Sequence, residues 1–216
     1  RVAAELYVHA ASLYKQCPLI PEGEKYRALV APFGRDRYDA TRLRALLALP
    51  FQAVVTTNFD YSMHDAYAAV HGVAPMAAEL SDPSLRQAIY NWREFYIARV
   101  HGRAEIPETV VLATNDYART EKDLDYTEFL FHVLTRRTCL FMGYSFVDPA
   151  IGHVLDIVDR RIGPNFPQLH YAFLPATATK LAARLSRYNI QVVYYEDTDG
   201  HEVLWKSVRD ALDIYR

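Results

Sequence analysis

The stretch Ala53-Val-Val-Thr-Thr-Asn-Phe-Asp60 decides the fold of this chain. β-branched and apolar residues run up to an abrupt polar end, formed by Thr56, Thr57, Asn58 and Asp60. An amphipathic helix is predicted to follow over residues 61–70. The pattern indicates a buried strand with polar side chains at its carboxyl end. In open α/β sheets, ligands bind in the crevice outside those ends.

Two later segments repeat the pattern of an apolar run with a polar end. Residues 95–100 predict a strand that ends in His101-Gly102, and residues 139–142 predict one that ends in Gly143-Tyr-Ser-Phe-Val-Asp148. Because ligands bind outside the carboxyl ends of parallel strands, we expect these polar ends to share one crevice with Asn58 and Asp60.

Short apolar runs alternate with helical patterns along the rest of the chain. Helices are predicted over residues 1–16, 24–30, 40–49, 85–90, 125–136, 149–161, 177–188 and 202–215, and further strands over 109–113, 168–174 and 190–195. Asp39 is predicted to cap the third of these helices. The alternation predicts an α/β fold with a mostly parallel sheet and helices on both faces.

The composition argues against several classes of protein. The net charge of −2 gives no argument for a nucleic-acid or membrane surface. Cys17 and Cys139 are far apart and neither has a second cysteine at metal spacing, so no zinc site is expected. Cys139 is interpreted as a core residue of a strand. The sequence shows neither an apolar run of about 18 residues nor a signal peptide, and we expect a cytoplasmic protein.

Each polar strand end has a structural and a functional interpretation. Asn58 and Asp60 either end a strand and cap the next helix, or hold a ribose and orient water. His101 is either structural or a general base near neutral pH, with Gly102 allowing close approach of the backbone. Segment 143–148 either seats a phosphate at a helix N-terminus or supplies, in Asp148, only the N-cap.

Four motifs together resemble the SIR2-like, sirtuin-related domains of bacterial anti-phage defence proteins. They are Thr56-Thr-Asn-Phe-Asp60, Val100-His-Gly102, Val110-Val-Leu-Ala-Thr-Asn-Asp-Tyr117 and Phe141-Met-Gly-Tyr-Ser-Phe-Val-Asp148. Their order and spacing agree with that family, and segments 169–175 and 190–195 resemble its closing strands. The resemblance runs from about Leu43 to the C-terminus.

The resemblance implies a Rossmann-like domain that binds NAD. It implies one domain over residues 1–216, with a helical N-terminal part at 1–50 and the core at 51–216. Asn58 and His101 are expected to be catalytic. The residues expected to contact NAD are Thr56, Thr57, Asp60, Gly102, Gly143, Ser145 and Asp148. By their positions, Phe59 and Phe146 are interpreted as pocket walls, and Glu196 and Asp197 as candidates for the adenosine side.

Two departures from the sirtuin pattern refine this expectation. The four-cysteine zinc module of protein deacetylases is missing, since Cys139 is the one cysteine between His101 and Gly143. NAD cleavage without a metal is therefore favoured over deacetylation. The Gly-Ala-Gly-x-Ser phosphate loop is also missing, and the chain begins at Arg1 in what resembles the helix after it. We therefore expect the chain to be a fragment of a longer one.

The expected function is that of a NAD glycohydrolase. It would release nicotinamide and ADP-ribose, and deplete NAD as a toxic effector in anti-phage defence. Two alternatives stay open: a non-catalytic module that binds NAD or a related nucleotide, which the missing loop favours, and an assembly domain of a defence complex. The resemblance further implies a homo-oligomer, and a sensor domain or a nucleic-acid-binding or ATPase subunit outside this chain. No membrane partner is expected.

Overall fold

The computed structural model describes residues 2–33, 38, 40–80, 82–90, 93–163, 169–197 and 200–215. The chain divides into two compact units, Arg1–Tyr126 and Thr127–Arg216. The predicted helix cap at Asp39 and the predicted strand start at Gln168 lie outside the described residues. None of the helices in these ranges combines the length and the apolar composition that crossing a membrane requires.

The first unit contains three parallel strands. Most of its helices either precede the strands or connect one strand to the next. The elements are α1 (Val2–Gln16), α2 (Glu22–Val30), α3 (Thr41–Leu47), β1 (Ala53–Thr56), α4 (Ser62–His71), β2 (Met76–Glu79), α5 (Pro83–Tyr90), β3 (Tyr96–Arg99) and α6 (Thr114–Lys122). The following helix, α7 (Leu124–Arg136), begins in this unit. The predicted helices and the strands at β1 and β3 are thus present, with small shifts of their ends.

β3 is the middle strand of the first sheet, whose order is β1-β3-β2. All four residues of β3 are buried, and Ile97 and Ala98 have no exposed surface. The prediction that β1 is a buried strand is wrong in part, because β1 lies at one edge and its first three residues are only half-buried. β2 was not predicted, since Met76-Ala-Ala-Glu79 contains no β-branched or aromatic residue. The three parallel strands place their carboxyl ends at one edge.

The second unit repeats the alternation of strands and helices. After α7 come β4 (Leu140–Phe141), α8 (Pro149–Ile162), β5 (His170–Pro175), α9 (Thr179–Leu185), β6 (Ile190–Tyr195) and α10 (Glu202–Tyr215). The strands are parallel in the order β4-β5-β6. Alternate residues of β5 are buried, as expected for a strand with a core face. The predicted α/β class, with parallel sheets and helices on both sides, is confirmed.

The predicted strand over residues 109–113 is wrong. Pro107–Thr109 forms a single 3₁₀ turn, and α6 begins at Thr114. Val110 and Val111 are buried, which explains why their sequence resembles a strand. The amide of Val111 donates to a loop carbonyl rather than to a strand, and the next two amides donate to the carboxylate of Asp116. Capping therefore satisfies this backbone in place of strand pairing.

Cys139 lies just before β4 and not within a strand, so its predicted place is wrong by one residue. Burial nevertheless raises the pKa of its thiol to about 12, which keeps the thiol neutral at physiological pH. Its amide donates to Nδ1 of His170 at 3.0 Å. His170 itself is fully buried in β5, at the middle of the second sheet.

We expect His170 to make the second unit sensitive to acid. Burial, partly offset by a hydrogen bond with the backbone of Leu134, lowers the pKa of His170 from 6.5 to about 4. As the pH falls, the unfolded chain takes up this proton first. The contribution to stability is therefore complete above pH 6.5 and is lost as the pH falls toward 4. At about 1.4 kcal/mol per pKa unit, the loss is about 3 kcal/mol.

Urea denaturation at about pH 7 and about pH 4.5 measures this effect. His170→Asn keeps an acceptor for the Cys139 amide and removes the titrating ring, so its free energy of unfolding should fall less with acid than that of wild type. The exposed His9 provides the control, because His9→Asn should keep the wild-type pH dependence. If the free energy of unfolding fell equally between the two pH values in wild type and in His170→Asn, the prediction would be contradicted.

Candidate active site

Two backbone hydrogen bonds join the loop after β1 to the loop after β3. The amide of Val100 donates to the carbonyl of Thr56 at 3.1 Å, at the strand ends. Further out, the amide of Ala104 donates to the carbonyl of Phe59 at 3.0 Å. The two loops are therefore fixed to each other on both sides of the residues between these bonds.

The residues between these bonds include both predicted catalytic residues. Asn58 lies on the first loop and is exposed, whereas His101 lies on the second and is only 4% exposed. The parallel pairing of β1 with β3 brings their carboxyl ends to one edge, so that the loops start side by side. A surface amide and an imidazole on two adjoining loops are groups that can orient a small polar reactant and accept its proton.

Side chains of the first loop stabilise its turn. Oγ1 of Thr56 accepts the amide of Asn58 at 3.1 Å, and the carboxylate of Asp60 accepts the amide of Ser62 at 2.9 Å. The second bond satisfies the amide of the first residue of α4. Tyr61 occupies the N-cap position, so Asp60 supports the start of the helix from one residue before the predicted cap. Thr57 is half-buried. Contacts of Thr56, Thr57 and Asp60 with NAD stay predictions.

Phe59 fixes the first loop to the core of its unit. Its side chain is buried in an apolar cluster with Ala104 and Val110, and its ring meets the ring of Phe33 edge to face at 5.2 Å. The amide of Ala104 also donates to the carbonyl of Phe59. Ala104 therefore contacts both the side chain and the backbone of Phe59. Phe59 thus acts as an anchor of the loop that carries Asn58.

The second loop depends on Gly102. Its φ of +79° lies in the left-handed region that favours glycine. A Cβ atom at this position would lie 2.2 Å from the carbonyl oxygen of Thr109. The backbone of segment 109–111 therefore approaches directly behind His101, whose carbonyl accepts the amide of Val111 at 3.0 Å. Gly102 shapes the loop, and its predicted contact with NAD stays a prediction.

A buried ion pair beneath the strand ends was not predicted from the sequence. The guanidinium of Arg99, at the end of β3, is 1% exposed and binds the carboxylate of Glu79, at the end of β2. It also lies over the ring of Tyr61, 4.2 Å from the ring centroid. Tyr61 directly follows Asp60, so the pair connects all three strand ends. A charged residue inside an apolar strand was the signal for a buried partner.

The remaining predicted NAD contacts lie in the second unit. Gly143 and Ser145 are exposed in the loop after β4. The carboxylate of Asp148 accepts the amides of Ala150 and Ile151 at 2.9 and 3.1 Å, so its interpretation as the N-cap of α8 is confirmed. Whether these three residues contact NAD stays a prediction.

Two further interpretations concern aromatic and acidic residues of the second unit. Phe146 is buried against Phe141, with a centroid distance of 5.0 Å, and its carbonyl accepts a hydrogen bond from Arg184. Its ring therefore belongs to an aromatic cluster of its own unit. Glu196 and Asp197 are exposed after β6, and Asp197 contacts His201 at 2.8 Å. Their proposed place near adenosine stays a prediction.

Within the described ranges, histidine, cysteine and acidic side chains form no group of three or more that is suited to a metal ion. The polar groups gathered at the strand ends of the first unit are instead an amide, an imidazole, hydroxyls and a carboxylate. Such groups bind sugar hydroxyls and move protons.

Comparison with known proteins supports the resemblance noted from the motifs. The family described as SIR2-like domain matches residues 52–193. A protein of Bacillus cereus (strain MSX-D12) named NAD(+) hydrolase ThsA is 28% identical over 124 residues, which are 56% of this chain and 25% of that protein. A protein of the same name from Enterococcus faecium is 24% identical over 211 residues, 84% of this chain and 42% of that protein.

The matched regions thus span less than half of the length of each relative. The match to the SIR2-like family covers more than half of this chain. It includes β1 and β3 together with the loops that follow them. It also extends over β4 and β5 of the second unit and ends within β6. On that match, and with the expected motifs in their expected order, the chain belongs to the family of SIR2-like domains.

Proposed function

We propose that this chain is a NAD glycohydrolase domain, which cleaves NAD to nicotinamide and ADP-ribose. The observation that carries the proposal is the pair of fixed loops that present Asn58 and His101 in a SIR2-like domain. The two relatives named NAD(+) hydrolase support the choice of substrate. We further propose that the reaction depletes NAD as a toxic effector in anti-phage defence.

The reaction is a substitution at the anomeric carbon of the nicotinamide ribose. The oxygen of a water molecule bonds to this carbon, and the bond from the carbon to the pyridinium nitrogen breaks. The electron pair of that bond neutralises the pyridinium, so nicotinamide leaves uncharged and needs no acid. The water gives up one proton. The protein therefore has to hold the ribose, orient the water and accept that proton.

Asn58 and His101 suit these tasks. The exposed amide of Asn58 offers both a donor and an acceptor, so it can hold a ribose hydroxyl and a water molecule together. The imidazole of His101 accepts the proton from the water or from a ribose hydroxyl. General-base assistance of this kind accelerates a reaction by about 10²–10⁴-fold.

Nicotinamide release by an Asn58→Ala variant tests the proposal. Because Asn58 orients both water and ribose, the variant should release nicotinamide at least 10²-fold more slowly than wild type. The measurement is chromatography of nicotinamide and ADP-ribose after incubation of the full-length protein with NAD. Gln87→Ala is the matched control, because the amide of Gln87 is exposed on α5 and its loss should leave the rate unchanged.

A parallel titration of NAD binding separates cleavage from binding alone. Wild type that binds NAD and releases nicotinamide supports the glycohydrolase. Wild type that binds NAD without release, in the presence of its natural partners, would show a non-catalytic nucleotide-binding domain. Wild type that does neither would leave the role of an assembly domain in a defence complex.

A further inference from the structure

The ring of Tyr117 contacts the ring of His101. The two rings meet edge to face, with centroids 5.7 Å apart and planes at 81°. Tyr117 lies in the first turn of α6 and is half-buried, while His101 is almost fully buried. Contacts of this geometry stabilise aromatic pairs beyond the burial of their surface. The contact therefore favours one orientation of the imidazole.

The first turn of α6 is itself held in place. The carboxylate of Asp116 accepts the amides of Leu112 and Ala113 at 3.1 and 2.8 Å. The same carboxylate pairs with the ammonium group of Lys15 on α1 at 2.6 Å, and each side chain is 12% exposed. Tyr117 is the next residue after Asp116, so its Cα position is fixed by this capping network.

Helices α1 and α6 meet through a second polar contact. The hydroxyl of Ser12 accepts the amide of Thr114 at 3.0 Å and lies 3.0 Å from the hydroxyl of Thr114. Both ends of the first turn of α6 are therefore bound to α1. A rigid support of this kind is what a side chain needs in order to fix the geometry of another one.

The same segment also holds the backbone of His101. The amide of Val111 donates to the carbonyl of His101, and the carbonyl of Thr109 lies against Gly102. Residues 109–117 thus contact both the backbone and the ring of the histidine. These contacts add to the two backbone hydrogen bonds that the loop after β3 makes with the loop after β1.

We propose that Tyr117 is a positioning residue, which holds the imidazole of His101 in the orientation that accepts the proton of the attacking water. The inference rests on the proposed glycohydrolase function. The observation that carries this proposal is the contact between the two rings. Reactive groups need to be held within about 10–20° of their productive geometry, and misplacement by about 1 Å slows a reaction by about 10²-fold.

Three substitutions at Tyr117 distinguish the effect of the aromatic ring from the effect of the hydroxyl group and from the effect of side-chain volume. Tyr117→Phe keeps the ring and should retain kcat within about twofold of wild type. Tyr117→Leu fills much of the space without an aromatic edge, and Tyr117→Ala removes the side chain; both should lower kcat by about 10- to 100-fold. KM for NAD should change by less than about twofold in all three, because Tyr117 acts through His101 and not on the substrate.

The exposed Tyr90 at the end of α5 gives a matched control, since Tyr90→Ala should leave kcat and KM unchanged. Circular dichroism confirms that each variant is folded. Equal kcat values for wild type and Tyr117→Leu would overturn the proposal, as would a loss of kcat in Tyr117→Phe equal to the loss in Tyr117→Leu.

The ring signals of histidine in NMR spectra test the contact without any turnover. The His101 signal, identified by its disappearance in His101→Ala, should shift in Tyr117→Leu and Tyr117→Ala, because the ring current of tyrosine is lost. It should keep its position in Tyr117→Phe. This readout remains decisive if wild type releases no nicotinamide, so failure of the contact and failure of the proposed function are distinguishable. An unshifted signal in Tyr117→Leu would refute the contact.

Discussion

His101→Ala is expected to slow nicotinamide release by about 10²–10⁴-fold, the range that a lost general base produces. His101 is the histidine of the two joined loops, and imidazole is the side chain that serves most often as a general base. Because the imidazole of His101 is buried, bulk water does not take its place as the proton acceptor. The residual rate of the variant should come from Asn58 and from binding of the ribose.

The measurement is the initial rate of nicotinamide release at saturating NAD, with His101→Gln beside His101→Ala. Glutamine fills more of the space left by the ring and accepts no proton from water, so both variants should be slow. The control is His9→Ala, because His9 is exposed on α1 and should have no effect. A His101→Gln variant as fast as wild type would remove His101 from the catalytic role.

Glu79→Ala is expected to reduce the free energy of unfolding by about 3–5 kcal/mol, because it leaves the guanidinium of Arg99 buried without its carboxylate. Burial opposes the charge of Arg99, but the hydrogen bonds and charges of Glu79 and Tyr61 together outweigh it, so the pKa of Arg99 lies above its ordinary value. Arg99 is 1% exposed, so solvent cannot replace the lost partner. This guanidinium packs on the ring of Tyr61 and so supports the loop that carries Asp60 and Tyr61.

Urea denaturation of wild type, Glu79→Ala, Arg99→Met and the double variant measures the coupling of the pair. The double variant should be more stable than Glu79→Ala, since it no longer buries an unpaired charge. Glu121→Ala, at an exposed position of α6, should change the free energy of unfolding by no more than about 0.5 kcal/mol. A loss below about 1 kcal/mol in Glu79→Ala would contradict this account of the pair.

The elements with strong local patterns could be predicted from the sequence. The strand 190–195 is rich in β-branched and aromatic residues, and the helix after Asp148 has both its N-cap and a proline in its first turn. β2 could not be predicted, because its residues favour no strand and its pairing with β3 is a long-range contact. Segment 109–113 was predicted wrongly, because burial and a capped helix start imitate a strand.

The features of the candidate site likewise fall into those that could be predicted from the sequence and those that could not. The positions of Asn58 and His101 on neighbouring loops could be predicted, since each follows a predicted strand and parallel pairing brings the two loops together. Their catalytic roles stay predictions. The contact of Tyr117 with His101 could not be predicted, because it depends on how α6 packs after a loop of irregular backbone. The same holds for Arg99 and Glu79, whose pairing joins the ends of two strands that lie 20 residues apart in the sequence.

The most direct test of the central claim is the stoichiometry of NAD cleavage by the full-length protein and by an Asn58→Ala/His101→Ala double variant. We expect wild type to form nicotinamide and ADP-ribose in equal amounts, and the double variant to bind NAD but to cleave it at least about 10²-fold more slowly. Removal of residues that act as one unit is not additive, so the double variant should be about as slow as the slower single variant. Cleavage by the double variant at the wild-type rate would contradict the assignment of the active site to these two loops.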